Sequence, residues 1–402
     1  MNPTISRRDA LKALAAAGAG ALLGVPRAAG TEDGPPADAP EKVPTRPFGR
    51  TGVDVSCLAL GGIFDIVNNQ LVLKQALEWG VTYWDTADCY TGGRSETGIG
   101  KYFQTRPDAR EQVFLVSKSD SRDPGGMTDL LNRSLERMHT DYIDLYFLHG
   151  VSDPADLSQS VKSWAEWAKR DGKIRFFGFS SHSNMEDCLK AAARRDWIDG
   201  IMFTYNFRLM HKNAMKEAVE ACAKAGIGLT AMKTLGGGQV RTDSERELEF
   251  AGRFLNRGFT DPQAKLKAVW EDERIASICS AMYDLKVLRS NVAAAMNRTQ
   301  LAAADREFLR QYAEDTRCGY CAGCGRLCGT AVAHQAPVSD VMRCLMYARS
   351  HGDREMARTT FAGLPAEARA RLAGLDYSAA EAACPHRMPI ARLMKEAAEL
   401  LG

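Results

Sequence analysis

The chain has 402 residues, 45% of them hydrophobic, with 52 basic against 50 acidic side chains and a formal net charge of +2. That balance, without any dense basic run, excludes the polycationic surface that binds nucleic acid or an anionic membrane. Length and composition allow one large barrel or two ordinary domains and do not choose between them.

The amino terminus, Ser6-Arg7-Arg8-Asp9-Ala10-Leu11-Lys12, reads as a twin-arginine export pattern. The Ala- and Gly-rich stretch from Ala13 to Val25 is too short and too weakly apolar for a secure membrane span, and Pro26-Arg27-Ala28-Ala29 approximates a cleavage site. Residues 1–29 are therefore expected to be a signal peptide that engages the twin-arginine translocase. The mature protein is expected in the periplasm or otherwise exported, with no stable membrane span. Residues 30–45, with Pro-Pro, Asp, Glu and Lys, read as a solvated linker.

A hairpin from Arg46 to Val55, turning at Gly49-Arg50-Thr51-Gly52, opens the folded part. Short apolar runs then alternate with amphipathic stretches. The strand candidates are 56–60, 83–85, 114–117, 144–148, 176–179, 201–205, 229–232 and 277–281. Helical patterns fill the intervals, at 71–78, 127–137, 158–168, 185–194, 214–224 and 245–256. Strands buried on both faces, each followed by a helix, predict an α/β fold, a closed (β/α)8 TIM barrel over residues 46–304 plugged from below by the hairpin.

In such a barrel the chemistry sits where strands end. Asp85 closes the second strand, Tyr90 lies in the loop after it, Lys118 closes the third strand and His149 the fourth. Hydride delivered to a carbonyl carbon leaves an alkoxide that needs a proton, and a tyrosine hydroxyl supplies it if its pKa is lowered. A neighbouring Lys118 ammonium favours the phenolate, Asp85 keeps that ammonium charged, and neutral His149 polarises the carbonyl oxygen.

Residues 305–402 are α-rich and carry the run Cys318-Gly-Tyr-Cys321-Ala-Gly-Cys324-Gly-Arg-Leu-Cys328, answered by Cys384-Pro385. Three thiolates from one tight loop and a fourth from a later Cys-Pro describe an iron–sulfur cradle. Zinc is the main alternative; two unstrained disulfides do not fit so crowded a run. Cys57, Cys188, Cys222, Cys279 and Cys344 stand singly among apolar residues and read as core.

The segments Trp-Asp85-Thr-Ala-Asp-Cys-Tyr90, Gly93-Arg94-Ser95-Glu96, Val-Ser-Lys118, Leu-Tyr-Phe-Leu-His149-Gly and Gly172-Lys-Ile-Arg-Phe-Phe-Gly-Phe-Ser180 resemble the aldo/keto reductases over about residues 46–295. The carboxy-terminal part resembles the branch with an export leader and a ferredoxin-type extension. The resemblance implies reversible reduction of an aldehyde or ketone, or oxidation of the alcohol, with NADP or NAD. Tyr90 would be the acid/base, Lys118 and Asp85 its tuners, and His149 the substrate's guide. It also implies that Ser180 grips the nicotinamide carboxamide, that Lys233, Thr234, Leu235 and Gly236 approach the pyrophosphate, and that Ser280 and Asn291 meet the adenosine end. Ser181, Met202 and Met232 depart from the family's usual Asn, Gln and aromatic, and Lys286 and Arg289 do not sit at its phosphate-clamping spacing. Trp84, Phe207 and Met210 are candidates for an apolar substrate pocket.

The same resemblance implies one [4Fe–4S] cluster. A fourth cysteine that crosses over gives Cys318, Cys321, Cys324 and Cys384; a rival set exchanges Cys318 for Cys328. Export conflicts with a soluble nicotinamide cofactor, and three readings absorb this. The cofactor travels out with the fold, an electron-transfer protein feeds the barrel through the cluster, or the chain is a non-catalytic binding or electron-transfer protein.

Overall fold

The computed structural model of the protein describes residues 42–237 and 245–402, so the export pattern and most of the linker lie outside the described residues. Two short antiparallel strands, β1 (Thr45–Pro47) and β2 (Asp54–Ser56), form the opening hairpin. Eight parallel strands follow: β3 (Leu58–Gly61), β4 (Tyr83–Asp85), β5 (Phe114–Ser119), β6 (Ile143–Leu148), β7 (Ile174–Ser181), β8 (Gly200–Thr204), β9 (Gly228–Met232) and β10 (Ser277–Ala281). They pair in chain order, and β10 closes on β3 with Ile278 opposite Leu58 and Ala281 opposite Gly61. Every residue of β5 and β6 is buried, as expected of strands covered by side chains inside and helices outside.

The first barrel strand begins at Leu58 rather than Ser56. Asp54–Ser56 belongs to the hairpin, and the Ser56 hydroxyl instead accepts hydrogen bonds from the Thr82 and Tyr83 amides at 3.1 Å each. Local chemistry sets several helix starts. Asp123 caps Pro124–Met138 by accepting from the Gly126 amide with proline in the first turn, and Thr260 and Gln263 form a reciprocal capping box on Asp261–Trp270. Phe48 at the hairpin tip is fully buried, with its ring 6.3 Å from Tyr83 and 5.6 Å from Phe114. Because those residues begin β4 and β5, Phe48 plugs the bottom and leaves the opposite mouth free for chemistry.

Beyond the barrel, the helices Ala303–Asp315, Gly325–Ala331, Val338–Ser350, Arg354–Ala362, Ala366–Arg371, Ser378–Ala383 and Ile390–Leu401 form an extension with an apolar core around Val341, Leu345, Phe361 and Leu393. It packs on the barrel top, and Glu41–Gly402 is one compact unit. Asn184 bridges the two parts, its amide donating to the Gly323 carbonyl at 2.7 Å and its side-chain oxygen accepting from the Arg326 amide at 2.9 Å. Gly323 has φ near +80°, and a Cβ there would lie 2.4 Å from the His182 carbonyl oxygen, so glycine permits this approach. Among the described residues, no helix is long and apolar enough to cross a membrane.

Candidate active site

The barrel brings Asp85, Tyr90, Lys118 and His149 to one mouth. Lys118 is 1% exposed, and its ammonium donates to Asp85 Oδ1 at 2.7 Å and to the Thr86 carbonyl at 2.6 Å. The same ammonium lies 4.7 Å from the centre of the Tyr90 ring, and that ring meets His149 edge-on with centroids 5.9 Å apart. Burial pushes the Asp85 carboxyl upward against the pull of Lys118.

Burial, then the negative fields of Asp85, Cys279 and other neighbours, holds the Tyr90 hydroxyl well above its usual pKa of 10.0, with the Lys118 ammonium beside its ring. Such a group is suited to donation.

Backbone geometry and a buried ion network set the position of Tyr90. Thr91, Gly92 and Gly93 have φ of 49°, 63° and 88°, a left-handed run that turns the chain immediately after the tyrosine. Below this turn, Arg137 donates to both the carbonyl and the carboxylate of Asp88, and to the fully buried Glu96. Glu96 also accepts from Ser117 at 2.6 Å, which ties the turn to β5.

Two partners escaped the sequence reading. Asp120 Oδ1 accepts from His149 Nδ1 at 2.7 Å, which leaves Nε2 to face a substrate. Burial raises Asp120, but the hydrogen bond and charge of His149, with Cys89 and Arg122, together outweigh it and the carboxyl lies below its usual value. Cys89 completes a triangle with these two, their ligand atoms all within 4.8 Å of one another. Cys279, read as core, lines the barrel interior with its thiol 3.7 Å from Asp85 Oδ2. A strand-end signal existed for Asp120, which directly follows β5, but nothing local pairs it with His149.

The residues expected at a dinucleotide are distributed along the same rim. The buried Ser180 hydroxyl accepts from the Gly150 amide at 3.0 Å, and no acceptor takes its proton among the described residues. Lys233 and Gly236 both have φ of 56°; Thr234 between them is buried and Leu235 half-buried. Asn291 donates to Ser280 Oγ at 3.0 Å, so these two meet at the far side of the mouth. Gly238 and the residues after it up to 244 lie outside the described residues. Trp84 and Phe207 are fully buried. Trp84 stacks on Phe103 and bonds the Val81 carbonyl, and Phe207 is buried in an aromatic cluster, with Met210 packed beside it.

The model of the Aldo/keto reductase family matches residues 65–299, more than half of the chain. The protein belongs to that family. It is 34% identical to the uncharacterized oxidoreductase YqkF of Bacillus subtilis (strain 168), over 34% of this chain and 48% of that protein. It is 27% identical to the aldo-keto reductase yakc of Schizosaccharomyces pombe (strain 972), whose name carries NADP(+), over 49% of this chain and 62% of that one. The chain thus spans about half to two thirds of these relatives' length. The aldo-keto reductase AKR11C1 from Bacillus halodurans shares the fold, with a TM-score of 0.55 at 23% identity, covering 66% of this chain and 95% of that one.

The cysteines of this aldo/keto reductase divide into two groups. Cys321, Cys324, Cys328 and Cys384 line one small cavity, walled by Val338, Met342, Met388 and Ile390. Cys318 is exposed and does not line it; it faces a second, larger cavity between the barrel and the extension. All four cysteines of the set with Cys328 thus line one cavity, and Cys318 of the other set does not. The Gly325–Ala331 helix starts directly after Cys324 and turns Cys328 inward, a direction that spacing alone does not specify.

Proposed function

We propose that this aldo/keto reductase family oxidoreductase reversibly reduces an aldehyde or ketone with a nicotinamide cofactor. The observation that carries this reading is the convergence of Tyr90, Lys118, Asp85 and His149 at one mouth. His149, oriented through Nδ1 by Asp120, presents Nε2 to the carbonyl oxygen and draws electron density toward it. Tyr90 then hands its hydroxyl proton to the alkoxide oxygen, and the adjacent Lys118 ammonium stabilises the phenolate left behind. In the reverse direction the phenolate takes the proton of the alcohol.

NADP or NAD would supply the hydride. Ser180, whose buried hydroxyl proton lacks an acceptor among the described residues, fits a carboxamide oxygen, and the left-handed turn of Lys233 and Gly236 fits close backbone approach to a pyrophosphate. Cys321, Cys324, Cys328 and Cys384 would hold one [4Fe–4S] cluster, which supplies one-electron chemistry when bound; that all four line one cavity supports this reading. The leader would send the folded protein to the periplasm by the twin-arginine route, with cofactor and cluster already in place. A second reading, in which an electron-transfer protein feeds the barrel, is favoured by the wall that the two cavities share at Cys321, Ala322, Met342 and Met388.

Fluorescence titration of the anaerobically purified, leader-less protein with NADPH and NADH tests the first reading, after a check for nicotinamide already bound. Saturable binding of either supports it. If neither binds and none is carried in, the hydride reading is wrong and the electron-partner reading takes its place.

A further inference from the structure

The barrel helix Asn213–Lys224 opens on a residue that does not suit a helix start. Lys212 occupies its N-cap, makes no capping hydrogen bond and sets a cation at the positive end of the helix dipole. Both features cost helix stability, so the reason for a lysine here lies outside the helix. Its half-buried ammonium donates across to the extension, to His386 Nε2 at 2.7 Å. His386 Nδ1 in turn donates to the Tyr320 carbonyl at 2.6 Å. Because an ammonium only donates and a carbonyl only accepts, the imidazole between them is neutral, with its proton on Nδ1.

This bridge ends at the cysteines. His386 lines the cavity that Cys321, Cys324, Cys328 and Cys384 share; it stands two residues after Cys384, and Tyr320 directly precedes Cys321. Lys212 therefore touches both chain segments that supply sulfurs. Among the described residues its ammonium has only this neutral imidazole as a hydrogen-bond partner. Burial works against the charge, and the fields that sustain it come from Cys324, then Glu186, Cys321 and Cys384. Seen from Cys324, Lys212 favours the thiolate more strongly than Glu186 opposes it. Of the cations whose fields reach His386, Lys212 stands ahead of Arg208 and Arg317. A partly enclosed cation held only by a dipole is costly unless something anionic lies close, and four thiolates meet that need.

We propose that Lys212 supplies, from the barrel, the counter-charge of the [4Fe–4S] cluster in the extension and raises its reduction potential. The inference rests on the cluster reading of the four cysteines. One electron taken from an external one-electron donor makes the thiolate-bound cluster more negative by one charge, and a fixed neighbouring cation favours that reduced form. The loop after β8 would thus set which electron donors can reduce the cluster, and the extension would have its working potential only while seated on the barrel.

Redox titration of the anaerobically purified, cluster-loaded protein, followed by the electron paramagnetic resonance of the reduced cluster, tests this. Lys212→Gln keeps a donor for His386 and removes the charge; Lys212→Arg keeps both. In Lys212→Gln the ratio of reduced to oxidised cluster at a fixed potential is expected to fall roughly tenfold, about 59 mV for a one-electron couple and the scale of one partly buried unit charge. Lys212→Arg should stay near the unsubstituted protein. Iron and acid-labile sulfide content shows whether each variant is loaded. Poor loading of Lys212→Gln beside normal loading of Lys212→Arg would also support the counter-charge. An unchanged potential in loaded Lys212→Gln would overturn the proposal. So would equal shifts, or equal loss of iron, in the two variants, which would make Lys212 a packing residue. An unsubstituted protein that takes up no iron would remove the cluster reading itself, and this inference with it.

Discussion

Tyr90 is held by a turn of three left-handed residues and faces an ammonium already committed to Asp85, so its proton is kept until a developing alkoxide takes it. Tyr90→Phe removes that proton and leaves the ring against His149. Turnover of an accepted carbonyl substrate is expected to fall by roughly two to four powers of ten with nicotinamide affinity almost unchanged. An undiminished rate would remove Tyr90 from the chemistry. The cysteines give a second test at this scale. Cys318 points away from the cavity that the other four share, so Cys318→Ser should retain iron and the cluster's visible absorption, whereas Cys328→Ser should lose most of both. The opposite result would restore the set expected from cluster crossing.

At the scale of elements, the opening hairpin does more for stability than its length implies. Phe48 contributes the ring that closes the barrel bottom against Tyr83 and Phe114, and Arg50 fastens the same hairpin by donating to the Ala225 and Asp196 carbonyls at 2.6 Å each and the Ile198 carbonyl at 3.0 Å. Phe48→Ala should cost about 3–5 kcal/mol of unfolding free energy by denaturant titration, through lost transfer energy and the cavity left behind. It should leave the distant mouth's nicotinamide affinity intact. A cost below about 1 kcal/mol would mean that the plug is dispensable. The helix starts show a smaller version of the same economy, with Asp123, Ser158 and Asp284 each satisfying an amide that the helix cannot.

For the molecule as a whole, the extension and barrel function as one body because polar groups of each end inside the other. Asn206 donates to the Tyr320 hydroxyl at 2.9 Å, and Lys233 to Tyr347. His182 lies in this seam; burial first, then the charges of Arg343, Lys233, His149 and Lys118, depress its pKa well below 6.5. The unfolded chain therefore binds a proton that the folded one refuses. The sign follows: stability is full above about pH 6.5 and falls as the pH drops below it. Thermal denaturation between pH 7.5 and 5 should show a declining midpoint, and His182→Gln should flatten that decline. Identical slopes for the two proteins would show that His182 is not the group responsible.

Much of this was legible along the chain because its causes are local. Runs of Val, Ile and Phe buried on both faces marked the strands within a few residues, and the tetrad was readable because a barrel always exposes the ends of its strands at one mouth. The charge balance and the cysteine spacing were likewise properties of the sequence by itself. Tertiary structure alone decided what depends on approach between distant segments. Asp120 reaches His149 only because β5 and β6 are neighbours, and Cys328 rather than Cys318 faces Cys384 because a helix turns it inward. Tyr90 holds its proton because the fold buries it beside Asp85. The second cavity exists because the extension folds back over the barrel, so that Lys233 and Arg343, distant in the chain, line a common space that no periodicity encodes.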